Sequence, residues 1–307
     1  MYGADSGLTG TGPNDQGISL MLSKRFFDHS LIQRNAVLRK GIVFAREPVL
    51  QLQGLVTDSK DFATAPPIVA NSLPKSGTHL LLQITRALPG SRYFGRFIAT
   101  SPSLTQRERS PAVLARRIAR TLPAETLGAH LFHFTEVEVA LRRINALHLF
   151  IYRDPRDVVI SEVNYLAEMN RWHRMHRHFA ALPDATSRLK LALEGFDARY
   201  PEANARMLPY AGWLDVPGVV AIRYENLFGP RQADEIARVV AAWRLQGGTS
   251  ADEDALVERL RRAVDPSKSH TFREGGSGKW RRGMTDAEAE MVSQRLAPSL
   301  TAYGYPI

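Results

Sequence analysis

Short apolar runs alternate along the chain with longer segments whose apolar positions recur at three- and four-residue spacing. Such runs predict strands, and such segments predict helices. Pro67-Ile-Val-Ala-Asn is the first run, followed by the turn Leu73-Pro-Lys-Ser-Gly-Thr and by His79-Leu-Leu-Leu-Gln-Ile-Thr-Arg-Ala-Leu, which has helical length and composition. Leu127-Gly-Ala-His-Leu-Phe-His predicts a second strand, Leu147-His-Leu-Phe-Ile-Tyr a third and Val219-Val-Ala-Ile-Arg-Tyr a fourth. The third ends in Arg153-Asp-Pro, where Asp154 suits a helix cap and Pro155 the first helical position. Val158, Val159, Val163 and Leu166 then follow at core spacing. Residues 91–110 are polar and predict a loop; Pro111 to Arg120 predict a helix with a basic face. Helical segments run to Ala263, a polar Gly-rich loop spans 265–283, and a last helix covers about Asp286 to Leu296.

Strands alternating with helices predict a single α/β domain of P-loop-like type over residues 66–307, with a central, mainly parallel sheet flanked by helices on both faces. In such sheets ligands sit beyond the C-terminal strand ends. Ahead of the domain, residues 1–17 are rich in Gly, Ser, Asp and Asn and predict a disordered tail. Residues 18–65 are basic and apolar, as in Ser19-Leu-Met-Leu-Ser-Lys-Arg-Phe-Phe, and predict a helical extension that packs on the outside of the domain or serves as a membrane contact, dimer contact or lid.

Composition narrows the function. The 307 residues carry 40 Lys and Arg against 31 Asp and Glu, a formal charge of +9. That excess suits either a solvated basic surface or a polyanionic partner: nucleic acid, an anionic membrane or a phosphate-rich small ligand. The absence of cysteine excludes disulfides, thiolate metal sites and a cysteine nucleophile. With no apolar run long enough to cross a bilayer and no basic head before an apolar stretch at the N-terminus, the expected location is cytoplasmic.

Three segments carry chemistry. In Pro74-Lys-Ser-Gly-Thr-His, a glycine in a strand-to-helix turn lets backbone N–H groups approach an anion, and the helix N-terminus adds partial positive charge. Lys75 adds a full charge, and Ser76 and Thr78 add hydroxyls. This is not a Walker A loop, in which Lys follows the second glycine. In Tyr152-Arg-Asp-Pro-Arg-Asp-Val-Val-Ile-Ser, Arg153 sits at a strand end with a planar fork suited to phosphate, and Ser161 lies on the helix face of Asp154 and Asp157. Arg273-Glu-Gly-Gly-Ser-Gly-Lys-Trp-Arg-Arg sets glycines among basic residues and suits either a solvated basic loop or a backbone that wraps an anion.

The ordered set resembles the cytosolic-type, 3′-phosphoadenosine-5′-phosphosulfate (PAPS)-dependent sulfotransferase family over about residues 66–285. Pro74-Lys-Ser-Gly-Thr resembles its 5′-phosphosulfate loop, Arg153 through Ser161 its 3′-phosphate strand-helix, Arg273-x-Gly-x-x-Gly-x-Trp-Arg its R-x-G-x-x-G-x-W-K segment, and Arg223-Tyr-Glu-Asn-Leu its Y-E-D-L, whose Tyr lies against adenine. The resemblance implies PAPS as donor, 3′-phosphoadenosine-5′-phosphate (PAP) as product and no metal. It implies nucleotide contacts from Lys75, Ser76, Gly77, Thr78, His79, Arg153, Ser161, Tyr224, Arg273, Glu274 and Gly275. His130, placed like the His of the family's K-T-H-L-P, is implied as general base, and Lys75 as the cation that stabilises charge on the leaving oxygen. His133 and Glu136 are the rival bases. Leu80 stands where the family has an adenine-stacking Trp, His79 replaces a hydroxyl donor, Glu274 replaces a Lys, and Gly128 and Ala129 replace the Lys and Thr before the catalytic His.

The expected partner is a small-molecule acceptor, in a pocket shaped by loops at 91–110 and 165–215; no nucleic acid is expected, and a peripheral membrane contact is the minor alternative. The histidines of Trp172-His-Arg-Met-His-Arg-His lack a paired acid and predict a basic face or an acceptor-site wall in preference to a metal site. The competing functions are a P-loop-type kinase, which requires a Walker A Lys and Mg²⁺, and a non-catalytic basic module that binds nucleic acid or membranes.

Overall fold

The computed structural model describes residues 36–55, 58–268, 278 and 280–307. Helices α1 (Ala36–Leu55) and α2 (Ser59–Thr64) precede strand β1 (Ile68–Ser72), and α3 (Thr78–Ala87), β2 (Arg92–Ala99), α4 (Pro111–Ile118), β3 (Glu125–His130), α5 (Thr135–Arg143) and β4 (Leu147–Tyr152) follow. Next come α6 (Pro155–Asn164), α7 (His176–Ala180), α8 (Ala185–Glu194), α9 (Ala203–Ala211), β5 (Val220–Arg223), α10 (Gln232–Leu245), α11 (Glu253–Ala263), α12 (Trp280–Gly283), α13 (Asp286–Arg295) and α14 (Ala297–Ala302). The expected tail at 1–17 and residues 18–35 of the expected extension lie outside the described residues. No helix among the described residues is long and apolar enough to cross a membrane.

The five strands form one sheet in the order β2-β3-β1-β4-β5, and every pairing is parallel. A parallel strand covered on both faces needs apolar side chains throughout. All five residues of β1 are buried; Ile68, Val69 and Ala70 follow that rule, while the polar Asn71 and Ser72 at its end are hydrogen-bonded. Successive side chains divide between two cores. Val69 and Phe150 join α4, α5 and α6 on one face, while Ile68, Ala70, Leu149 and Ile151 join α3, α10 and α11 on the other. Helix α6 begins as its residues dictate: Pro155 occupies the first turn, and the Asp154 carboxylate accepts from Arg156 N–H at 2.9 Å.

Four local expectations need correction. Residues 91–110 contain β2, an edge strand with two arginines and a bulge between Tyr93 and Phe97. An edge strand is covered less completely, so it shows no continuous apolar run. The second expected strand stops at His130 because the Leu131 N–H is taken by the Asn71 side chain at 2.9 Å instead of a ladder carbonyl. The span 165–215, expected as loop, contains α7, α8 and α9, and α14 extends the chain beyond the last expected helix.

Candidate active site

A cleft of about 2250 Å³ opens beyond the C-terminal ends of the strands. Its lining includes Lys75, Gly77, Thr78 and His79 after β1, His130 at the end of β3, Arg153 and Ser161 after β4, and Tyr224 after β5. Four widely separated turns thus meet around one space.

The first turn depends on left-handed backbone. Lys75 has φ +69° and Gly77 φ +99°, and Gly77 caps α3. The first N–H groups of a helix have no intrahelical partner, so this turn presents donors to the cleft. A Cβ on Gly77 would stand 2.8 Å from Tyr224 Cδ2 and 3.4 Å from Ile151 Cδ1. The Arg153 guanidinium lies over the same Tyr224 ring, 4.4 Å from its centroid. Glycine at 77 therefore lets three turns close on one another. Gly77→Ala is expected to lower unfolding free energy by about 1–3 kcal/mol through φ strain and the ring clash; an unaltered denaturant midpoint would show that the turn relaxes freely.

Lys75 Nζ rests 3.5 Å from the centroid of the Tyr165 ring. Burial drives its pKa down to about 7, the nearby Arg153 charge adds to the fall, and Glu162 opposes it. Ser76 Oγ is fully buried, lacks a hydrogen-bond partner and does not line the cleft, so any contact of this residue with a ligand must come from its backbone or after rearrangement.

His130 is oriented by β1. Its Nδ1 lies 2.9 Å from the Ser72 carbonyl oxygen, which can only accept, so Nδ1 carries the proton. Nε2 is left with its lone pair. Ser72 Oγ lies 3.1 Å from the same nitrogen and 2.7 Å from Thr78 Oγ1, which links His130 to the turn around Gly77. Burial brings His130 down to about 4, with smaller contributions from Lys75 and His79 and opposition from the Ser72 carbonyl. The Phe97 ring meets the imidazole edge-on at 4.9 Å. Gly128 makes room for that ring: a Cβ there would stand 2.6 Å from Phe97 Cδ2.

Neither rival base lines the cleft. His133 Nε2 is paired with Glu138 at 3.1 Å, and its ring packs on Trp213. Glu136 is exposed on α5.

Arg153 donates to Asp157 at 3.0 Å, one helical turn later. Both Asp157 oxygens accept backbone N–H groups at 3.0 Å, one from Gly278 and one from Trp280. The Arg156 guanidinium covers the Trp280 ring at 4.0 Å. Asp265 exchanges two hydrogen bonds with the Gln83 side chain on α3, and Pro266 and Lys268 line the cleft. Both flanks of the third segment are thus docked at the site. Arg273, Glu274 and Gly275 themselves lie outside the described residues.

Sequence reasoning missed Ser72, Tyr165 and Glu162. Ser72 reads as one more strand residue, and its role exists only because β1 and β3 are neighbours. Asp157 carried a signal, an acid four residues after Arg153 on one helix face. The three histidines near Trp172 act separately: His173 meets Gln106, His176 the Leu166 carbonyl and His178 the Phe196 ring. The described residues contain no group of three side chains placed to hold a metal.

A parallel sheet whose strand-end turns converge on a cation-lined cleft defines an anion-binding α/β protein of the P-loop-like class. Residues 66–304 match the family model described as Sulfotransferase domain, and the chain belongs to that family. Among solved structures, mouse sulfotransferase SULT7A1 complexed with PAP aligns at TM-score 0.53 and 17% identity over 76% of this chain and 84% of its own. Retinol dehydratase in complex with androsterone and inactive cofactor PAP aligns at TM-score 0.51 and 12% identity over 81% and 85%. At these identities the likeness speaks for the fold. No curated protein sequence matches the chain.

Proposed function

We propose that the protein transfers a sulfuryl group from PAPS to a hydroxyl or amine of a small acceptor, releasing PAP, with His130 as general base. The observation that carries this reading is the meeting of Lys75, Arg153, Ser161 and Tyr224 around one cleft with His130 at a strand end beside them.

The residues fit such a nucleotide. The turn around Gly77 offers backbone N–H groups, the Thr78 hydroxyl and the His79 ring to 5′ oxygens, with Lys75 beside them. Arg153 and Ser161 suit the 3′-phosphate, and the family resemblance assigns Arg273, Glu274 and Gly275 to the same group. Tyr224, backed by Arg153, offers a face to adenine. Leu80 is buried in the core, so stacking on adenine falls to other groups.

PAPS supplies the transferable group and a phosphate leaving group. The chain supplies position, charge and a proton acceptor. His130 Nε2 takes the acceptor proton as the hydroxyl attacks, and the Ser72 carbonyl steadies the imidazolium through Nδ1–H. Lys75 answers the charge that grows on the bridging oxygen. Burial of the imidazole keeps the base neutral at physiological pH.

PAP is expected to raise the melting temperature more than ATP with Mg²⁺ does, and the protein is expected to sulfate at least one member of a panel of phenols, alcohols, sugars, lipids and amines given labelled PAPS. Greater protection by ATP with Mg²⁺ would overturn the reading in favour of a kinase.

A further inference from the structure

We propose that the acceptor carries an anionic group, a carboxylate, sulfate or phosphate, held by Arg109 and Arg117 beside His130. This rests on the sulfotransferase reading, because it takes the His130 end of the cleft as the acceptor end.

Placement is the first ground. In the β2–β3 pairing Ala99 stands opposite His130. Arg109 Nη1 donates to the Ala99 carbonyl at 2.9 Å, and the Arg109 N–H donates to Thr100 O at 2.9 Å. The guanidinium is therefore fixed one strand away from the base. A guanidinium has five N–H donors, and the Ala99 carbonyl accepts only one. Both arginines line the cleft.

Unanswered charge is the second ground. Burial lowers the Arg109 pKa, and the Arg117 charge lowers it further, with no carboxylate acting in the other direction. The acids on this wall do not answer that charge. Glu162 accepts from Arg206 at 2.7 Å, and Glu108 is not among the charges that act on Arg109. Two like charges held close together without a counter-ion favour a bound anion, and a planar fork suits a carboxylate, sulfate or phosphate.

The remaining wall sets the body of the ligand. Phe97 stands edge-on to His130, and Phe132 packs against Tyr210 with ring centroids 4.8 Å apart. An aromatic wall and a nearby arginine pair suit a flat apolar body with its hydroxyl at His130 and its anion at the arginines.

The test is equilibrium binding of naphthoate, naphthyl phosphate and naphthamide to the whole chain, with and without saturating PAP, alongside Arg109→Gln, Arg109→Lys and Arg117→Gln. Both anions are expected to bind at least about tenfold tighter than the amide, and either Gln variant is expected to lose about tenfold in anion affinity. Arg109→Lys should retain part of it. If Arg109→Gln does not fold, the exposed Arg117→Gln decides. Equal affinity for the amide, no measurable binding of either anion, anion binding abolished by PAP, or anion affinity unchanged in the Gln variants would each overturn the proposal. Failure of PAP itself to bind strikes the sulfotransferase reading instead, and the anion preference is still read in its absence.

Discussion

His130→Ala is expected to lower the transfer rate by about a hundred- to ten-thousand-fold while PAP affinity stays near that of the parent protein. The two readouts separate because the imidazole is held by the Ser72 carbonyl on β1, while the proposed nucleotide contacts come from the turns around Gly77 and Arg153. The pH profile carries the same information. A general base works only when neutral, and burial sets His130 at about 4, below the ordinary histidine value. On the acid side, activity per free enzyme should thus fall only as pH drops through about 4, rather than through 6.5, while the alkaline side is set by Lys75 at about 7. A His130→Ala enzyme with ordinary turnover would remove His130 from the role of base. An acid limb near 6.5 in the parent would show that the imidazole is better solvated than the structure indicates.

Lys75→Ala is expected to slow transfer by about a hundred- to thousand-fold, equivalent to about 3–4 kcal/mol of lost charge stabilisation. It is also expected to change how nucleotide binding depends on pH. Burial leaves the free protein's Lys75 at about 7, so the ammonium is partly deprotonated at neutrality. An anionic ligand favours the protonated form. PAP affinity should then be highest below pH 7 and fall as pH rises through about 7, with proton uptake on binding above that value. Lys75→Ala should flatten this dependence, and Lys75→Arg should keep high affinity at alkaline pH, because arginine stays charged. PAP titrations at several pH values check both statements. An unchanged pH dependence in Lys75→Ala would assign the titration to another group.

Much of this site could be read along the chain because its parts are local. Gly77 announces a tight strand-to-helix turn, and Asp154-Pro155 announces a helix start directly after Arg153. Lys75, Arg153 and Tyr224 follow strand ends that could be read locally, and all three line one cleft. Burial on both sides gave β1 the apolar run Ile68-Val-Ala and β4 the run Leu149-Phe-Ile. The edge strand β2 is broken up, with Arg92, Gly95 and Arg96 interrupting it. The His130 end of the cleft was the least legible part. Ser72, Phe97 and Arg109 gain their meaning from β1, β2 and β3 lying side by side, in an order no local pattern encodes. His130 stood out against His133 only by its resemblance to a family motif. The geometry separates them through Glu138 and Trp213, which hold His133 away from the cleft.

The contact between Gly128 and the Phe97 ring makes two distant positions a single exchangeable unit. The volume that a side chain at 128 would fill is already taken by an aromatic ring arriving from the neighbouring strand. A relative with a long residue at the first position must have a small one at the second, or a rebuilt edge strand. Substitution histories at 97 and 128 should therefore run in step, and grafting a lysine at 128 alone would push the ring out of its place beside the imidazole.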